Sequence, residues 1–121
     1  IATIGPDEMV GEMALIGDQR HSASVTVSRG PAELLAVKAD DLLQAAIYDS
    51  DLVMELLALS SHRCRQTNHH LALILEGLDA LSTRDTPLLE QCCEELDKSA
   101  DQALCSTAEQ LRRLARTLDQ S

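Results

Sequence analysis

The chain has 121 residues, 45% of them hydrophobic, a net charge of -10 and a single aromatic residue, Tyr48. That length is one domain or part of one, and its core must be built from Leu, Ile, Val, Met and Ala. So acidic a surface repels nucleic-acid backbones and anionic membranes, and no apolar run approaches the roughly 18 residues of a membrane span.

The first 38 residues read as β-structure. "IATI" at 1–4 is a short apolar strand that starts without Met or a cap, so we expect the chain to begin inside a domain. "GPDE" is a turn set by Gly5 and Pro6. "HSASVTVS" alternates with period two, placing Ala23, Val25 and Val27 on one face and Ser22, Ser24 and Thr26 on the other. "RGP" at 29–31 breaks it, and "AELLAVK" gives one more strand.

From Ala39 the period changes to that of a helix. Asp40 and Asp41 precede Leu42, Leu43, Ala46 and Ile47. "YDSD" interrupts, and Ser50 or Asp51 starts a longer helix carrying Leu52, Val53, Leu56, Leu57 and Leu59, running through "HRCRQTNHH" to Leu71, Ile74, Leu75 and Leu78. "STRDTP" at 82–87 stops it. Thr86 is placed to cap the next helix, with Pro87 in its first turn. That helix carries Leu89, Cys92, Leu96, Ala100, Leu104, Ala108, Leu111, Ala115 and Leu118 in one apolar stripe. The stripe needs a partner, either residues 62–81 of the same chain or another chain.

Cys64, Cys92, Cys93 and Cys105 share no ligand-like spacing and read as free, buried thiols in a reducing cytoplasm. His62, His69 and His70 lie near Cys64, but no carboxylate completes a metal set. No nucleophile is matched to a base, so the sequence gives no sign of an enzyme.

"VGEMALIGDQRHSASVTV" at 10–27 is where ligand chemistry concentrates. Gly11 and the small Ala14 allow close backbone approach. A short turn over "EMALI" presents its first N–H groups to an anion, and a basic side chain at Arg20 or His21 can neutralise it. Glu12 would repel a bare phosphate, but it can accept from a sugar hydroxyl of the same ligand. Phosphate joined to ribose makes a nucleotide.

These residues resemble the phosphate-binding cassette of the cyclic nucleotide-binding domain family, of the cAMP-receptor type. Val10-Gly11-Glu12-Met13-Ala14-Leu15 resembles its first part and Ser22-Ala23-Ser24-Val25 its last. The resemblance covers residues 1–70 as the C-terminal part of such a domain, with 71–121 as a helical extension. It implies an α+β fold, a partial β-roll of jelly-roll kind followed by an all-α extension. It further implies cAMP or cGMP as ligand, with Glu12 on the ribose 2′-hydroxyl. The N–H groups of Met13, Ala14 and Ser22 would face the phosphate, Ala23 would fill the small position, and a helix starting near Asp51 would close over the base. At the family's arginine position an ungapped count places His21; a loop one residue shorter places Arg20. An imidazole carries little charge at pH 7 and lacks the arginine fork.

The function implied is a bacterial-type, cytoplasmic regulatory sensor rather than an enzyme or a DNA-binding protein, with a homo-oligomer conceivable through the C-terminal helices. The alternative is a degenerate fold serving as a ligand-independent scaffold or oligomerisation module.

Overall fold

The computed structural model describes residues 3–15, 18–21, 23–99 and 101–121. It consists of a short 3-10 turn at Glu12–Leu15 and four helices: α1 (Ala39–Tyr48), α2 (Ser50–Thr83), α3 (Thr86–Asp97) and α4 (Gln102–Asp119). Two compact units divide the chain, one of Pro6–His62 and one of Arg63–Ser121 with the described residues up to Gly5; α2 runs through both. No described helix is long and apolar enough to cross a membrane.

The expected α+β fold with a β-roll is overturned: the described residues contain no strand. Ile1, Ala2 and Ser22, from the first two expected strands, lie outside the described residues. Residues 23–28 and 32–38 are irregular, and Val25, Val27, Leu34, Leu35 and Val37 are all exposed. Alternation selects which side chains share a face. A strand additionally needs a neighbour to accept its ladder of hydrogen bonds, and none of these segments supplies one to another.

The helical expectations fare better. α1 opens with Asp40 and Asp41 in its first turn, where carboxylates complement the helix dipole. Asp49 ends α1 and caps α2, accepting from the N–H groups of Asp51 (3.1 Å) and Leu52 (3.2 Å). α2 closes at Arg84, which adopts a left-handed φ of 58° while the Asp85 N–H returns 2.8 Å to the Ala80 carbonyl. Asp85, not Thr86, caps α3, its carboxylate accepting from the Leu88 N–H at 3.1 Å. Pro87 sits in the first turn as expected.

The single long helix expected over 86–118 is instead a hairpin. Lys98 caps α3, and Asp101 caps α4, accepting from the N–H groups of Ala103 (2.8 Å) and Leu104 (3.3 Å). Ser99 turns back on the chain with its hydroxyl 2.7 Å from the Leu96 carbonyl. Ser and Asp offer the backbone local partners in place of the helical ladder, so the stripe folds on itself.

The core of the Arg63–Ser121 unit joins Leu73 and Ala80 of α2 to Leu89, Cys93 and Leu96 of α3 and Leu104, Ala108 and Leu111 of α4. Arg112 of α4 ties the hairpin from outside, with Nε 2.8 Å from Glu90 Oε1 and Nη1 2.8 Å from Asp97 Oδ2.

All four cysteines are free, but they are not all buried: Cys64 is exposed and Cys105 half-buried. Burial pushes the Cys92 thiol pKa up, aided by the Glu76 carboxylate; burial also raises that of Cys93, partly opposed by Arg112. Fewer thiolates and less access both slow attack. At pH 8 an alkylating reagent is therefore expected to label Cys64 first, and Cys92 and Cys93 at least ~100-fold more slowly, through opening of the bundle. Peptide mapping by mass spectrometry of time points checks the order. Labelling of Cys93 at the rate of Cys64 would contradict this packing.

Candidate nucleotide-binding turn

Gly11 adopts φ 87°, in the left-handed region, which an L side chain enters only with strain. The chain then winds directly into the 3-10 turn over Glu12–Leu15, closed by the Ala14 N–H on the Gly11 carbonyl at 3.1 Å. Glu12 is buried there, with 8% of its surface exposed, whereas Met13 projects into solvent.

Downstream, Gln19 is also left-handed, at φ 56°. The Arg20 N–H bonds the Asp18 carboxylate at 3.2 Å. This loop brings the His21 imidazole over Gly11: a Cβ added to Gly11 would lie 3.1 Å from His21 Cε1 and 3.4 Å from its Nδ1. The turn thus gathers Gly11, Glu12, Met13, Ala14 and His21. Arg20, His21 and Ala23 are exposed, and Ser22 lies outside the described residues. Of the two basic side chains that the sequence offered, His21 is the one shown against Gly11.

One predicted role changes. The Ala14 N–H is already engaged by Gly11, so it is not a donor held ready for a phosphate. In such a turn the Met13 N–H has no acceptor within the turn itself. Sequence reasoning also missed Asp18 and Gln19. Their Asp-Gln pair after a glycine is ordinary turn chemistry, and nothing in it says which basic side chain will lie against Gly11.

No family model, curated protein or solved structure matches the chain.

Elsewhere in the Pro6–His62 unit, a cleft of about 220 Å³ is lined by Asp7, Glu8, Met9, Leu52, Glu55, Leu56 and Leu59. Its three carboxylates would repel a phosphate. No group of three or more His, Cys, Asp or Glu among the described residues is placed to hold a metal ion.

Proposed function

We propose that the chain is part of a regulatory protein that binds cAMP or cGMP at the Gly11–Leu15 turn and passes the binding event to its helices. The observation that carries this reading is a left-handed Gly11 with the His21 ring against it, followed directly by a buried Glu12. Glu12 accepts from the ribose 2′-hydroxyl, the N–H of Met13 faces the cyclic phosphate, and His21 supplies what positive charge the site has. The acidic chain needs that local donor set, since its overall field opposes an anion. Binding would act by favouring one arrangement of the segments on either side of the turn over another.

Calorimetric titration with cAMP and cGMP tests the reading. Micromolar binding to either nucleotide is expected. Glu12→Ala should weaken it at least tenfold, and His21→Arg should strengthen it by roughly tenfold, because a charge-assisted, two-pronged phosphate contact adds about 1.5 kcal/mol or more. No heat with either nucleotide, for both the native chain and His21→Arg, would sink it.

A second reading is a ligand-independent assembly module. Its support is separate: among the described residues, the buried apolar side chains all lie in the Arg63–Ser121 unit, and α2 in that unit still carries exposed leucines.

A further inference from the structure

The cleft in the Pro6–His62 unit is lined by two unlike kinds of side chain. One kind is apolar and half-buried: Leu52, Leu56 and Leu59, together with Met9. The three leucines follow one another at spacings of four and three, so they share one face of α2. The other kind is acidic and exposed: Asp7, Glu8 and Glu55. Glu55 stands three residues after Leu52 and four before Leu59, which puts its carboxylate at the edge of the leucine face. Asp7 reaches the cleft from a turn in which its own φ is 60°. No lysine, arginine or histidine is among the lining residues.

This lining selects its ligand. An apolar surface edged by carboxylates is complementary to a molecule with an apolar body and a positive end. Glu8 has an interaction of its own within the chain, so the positive end is assigned to Asp7 and Glu55. The donors at the start of α2, which would oppose a cation, are engaged: Asp49 accepts from the N–H groups of Asp51 and Leu52. A metal ion does not fit, because no group of three or more His, Cys, Asp or Glu among the described residues is placed to hold one. A quaternary ammonium has no N–H to donate and finds no aromatic face in the lining, whereas a primary ammonium donates three hydrogen bonds to carboxylates. The volume of about 220 Å³ is several times the ~30 Å³ share of a water and below the ~300 Å³ of drug-sized pockets. That suits a short alkyl chain.

We propose that this cleft binds a small aliphatic primary amine in its protonated form, with the ammonium at the Asp7 and Glu55 carboxylates and the alkyl chain along Leu52, Leu56 and Leu59 beside Met9. At pH 7 such an amine is fully charged, as a lysine side chain is. The site does not depend on whether the Gly11 turn binds a nucleotide, and its test contains none.

Titration of the 121-residue chain with n-hexylamine, 1-hexanol and hexanoate at pH 7, followed by heteronuclear NMR, tests it, because the three probes share an alkyl chain and differ in the charge of one end. Hexylammonium is expected to shift the signals of Met9, Leu52, Leu56 and Leu59 saturably, with a dissociation constant of about 1 mM, within the bound for so small a ligand. Hexanol should bind about tenfold more weakly at the same residues, and hexanoate should not bind. Shortening hexylamine to butylamine should weaken binding about fivefold, since the half-buried lining removes only part of each methylene from water. Asp7→Asn with Glu55→Gln should reduce hexylammonium to the affinity of hexanol and leave hexanol unchanged; Asn tolerates the left-handed turn, so the fold is kept. Glu94→Gln with Asp119→Asn, which removes two exposed carboxylates of the other unit, should change neither. The proposal is overturned by no saturable shift at these residues up to about 50 mM amine, by equal affinity for amine and alcohol, or by shifts spread over the acidic surface without dependence on chain length. It is equally overturned if a leucine–arginine peptide shifts these signals and hexylammonium does not, which gives the cleft to a protein segment. Signals of the cleft that move with protein concentration alone give it to a second copy and overturn it too.

Discussion

Leu96→Ala is expected to lower the stability of the Arg63–Ser121 unit by about 3 kcal/mol, the middle of the range for emptying a fully buried leucine site. Leu96 is 0% exposed. It sits at the end of α3 where the hairpin turns, in the cluster with Cys93, Leu104 and Ala108. Its neighbours there cannot close the void, because Ser99 and Asp101 fix the turn just beyond it through bonds to the Leu96 carbonyl and to the first N–H groups of α4. A unit of roughly 60 residues has little stability in reserve, so the melting temperature should fall by on the order of 15 °C. Leu96→Met, which keeps the volume, should cost under about 1.5 kcal/mol. Thermal melts followed by circular dichroism at 222 nm measure both. A melting temperature unchanged in Leu96→Ala would mean that the hairpin is not the cooperative core of this unit.

The same residues show what the sequence could reveal. The helices over 39–83 were legible because their signals are local: carboxylates at the starts, a change of period at Ala39, and Pro87 after a polar break. The division into α3 and α4 was not, because Leu89 to Leu118 keeps helical spacing straight through the turn. A stripe that continues in phase is equally compatible with one long helix and with two that fold face to face. Only Ser99 and Asp101 marked the break, and both also occur on exposed helix surfaces. At the other end of the chain, the alternation from Ser22 to Ser28 pointed to a strand, yet strand formation depends on residues far away in sequence that accept its hydrogen bonds. For the candidate turn, Gly11 and Glu12 stood out because a glycine permits close backbone approach and a carboxylate beside an anion site calls for a sugar hydroxyl. The loop that brings His21 to that glycine passes through a left-handed Gln19, which no spacing rule singles out. The exposed stripe of α2 was visible as leucines but not as a second face, since periodicity does not say which of two apolar sides the rest of the chain will cover.

Gly77→Val should destabilise the same unit by about 1–3 kcal/mol, whereas Gly77→Ala should change its stability little. At Gly77, α2 lies directly against the hairpin. A Cβ placed there would lie 3.2 Å from Leu111 Cδ1, 3.7 Å from Cys92 Cβ and 3.9 Å from Leu89 Cδ1. For alanine, the gain from removing a helix-interior glycine, about 1 kcal/mol, offsets one tight contact with a leucine methyl that can rotate away. Valine adds two further carbons in a gap bounded on three sides, and its branched Cβ has a single preferred rotamer in a helix with which to avoid them. The helices must then separate, exposing part of Leu89 and Leu111. Chemical denaturation of the two variants beside the native chain resolves the sign, and the alkylation rate of Cys92 gives an independent readout: it should rise in Gly77→Val and stay unchanged in Gly77→Ala. Equal stability and equal Cys92 protection in all three chains would mean that α2 does not rest on α3 and α4 at Gly77. The face of α2 opposite Leu75 would then be no better covered than Leu75 itself.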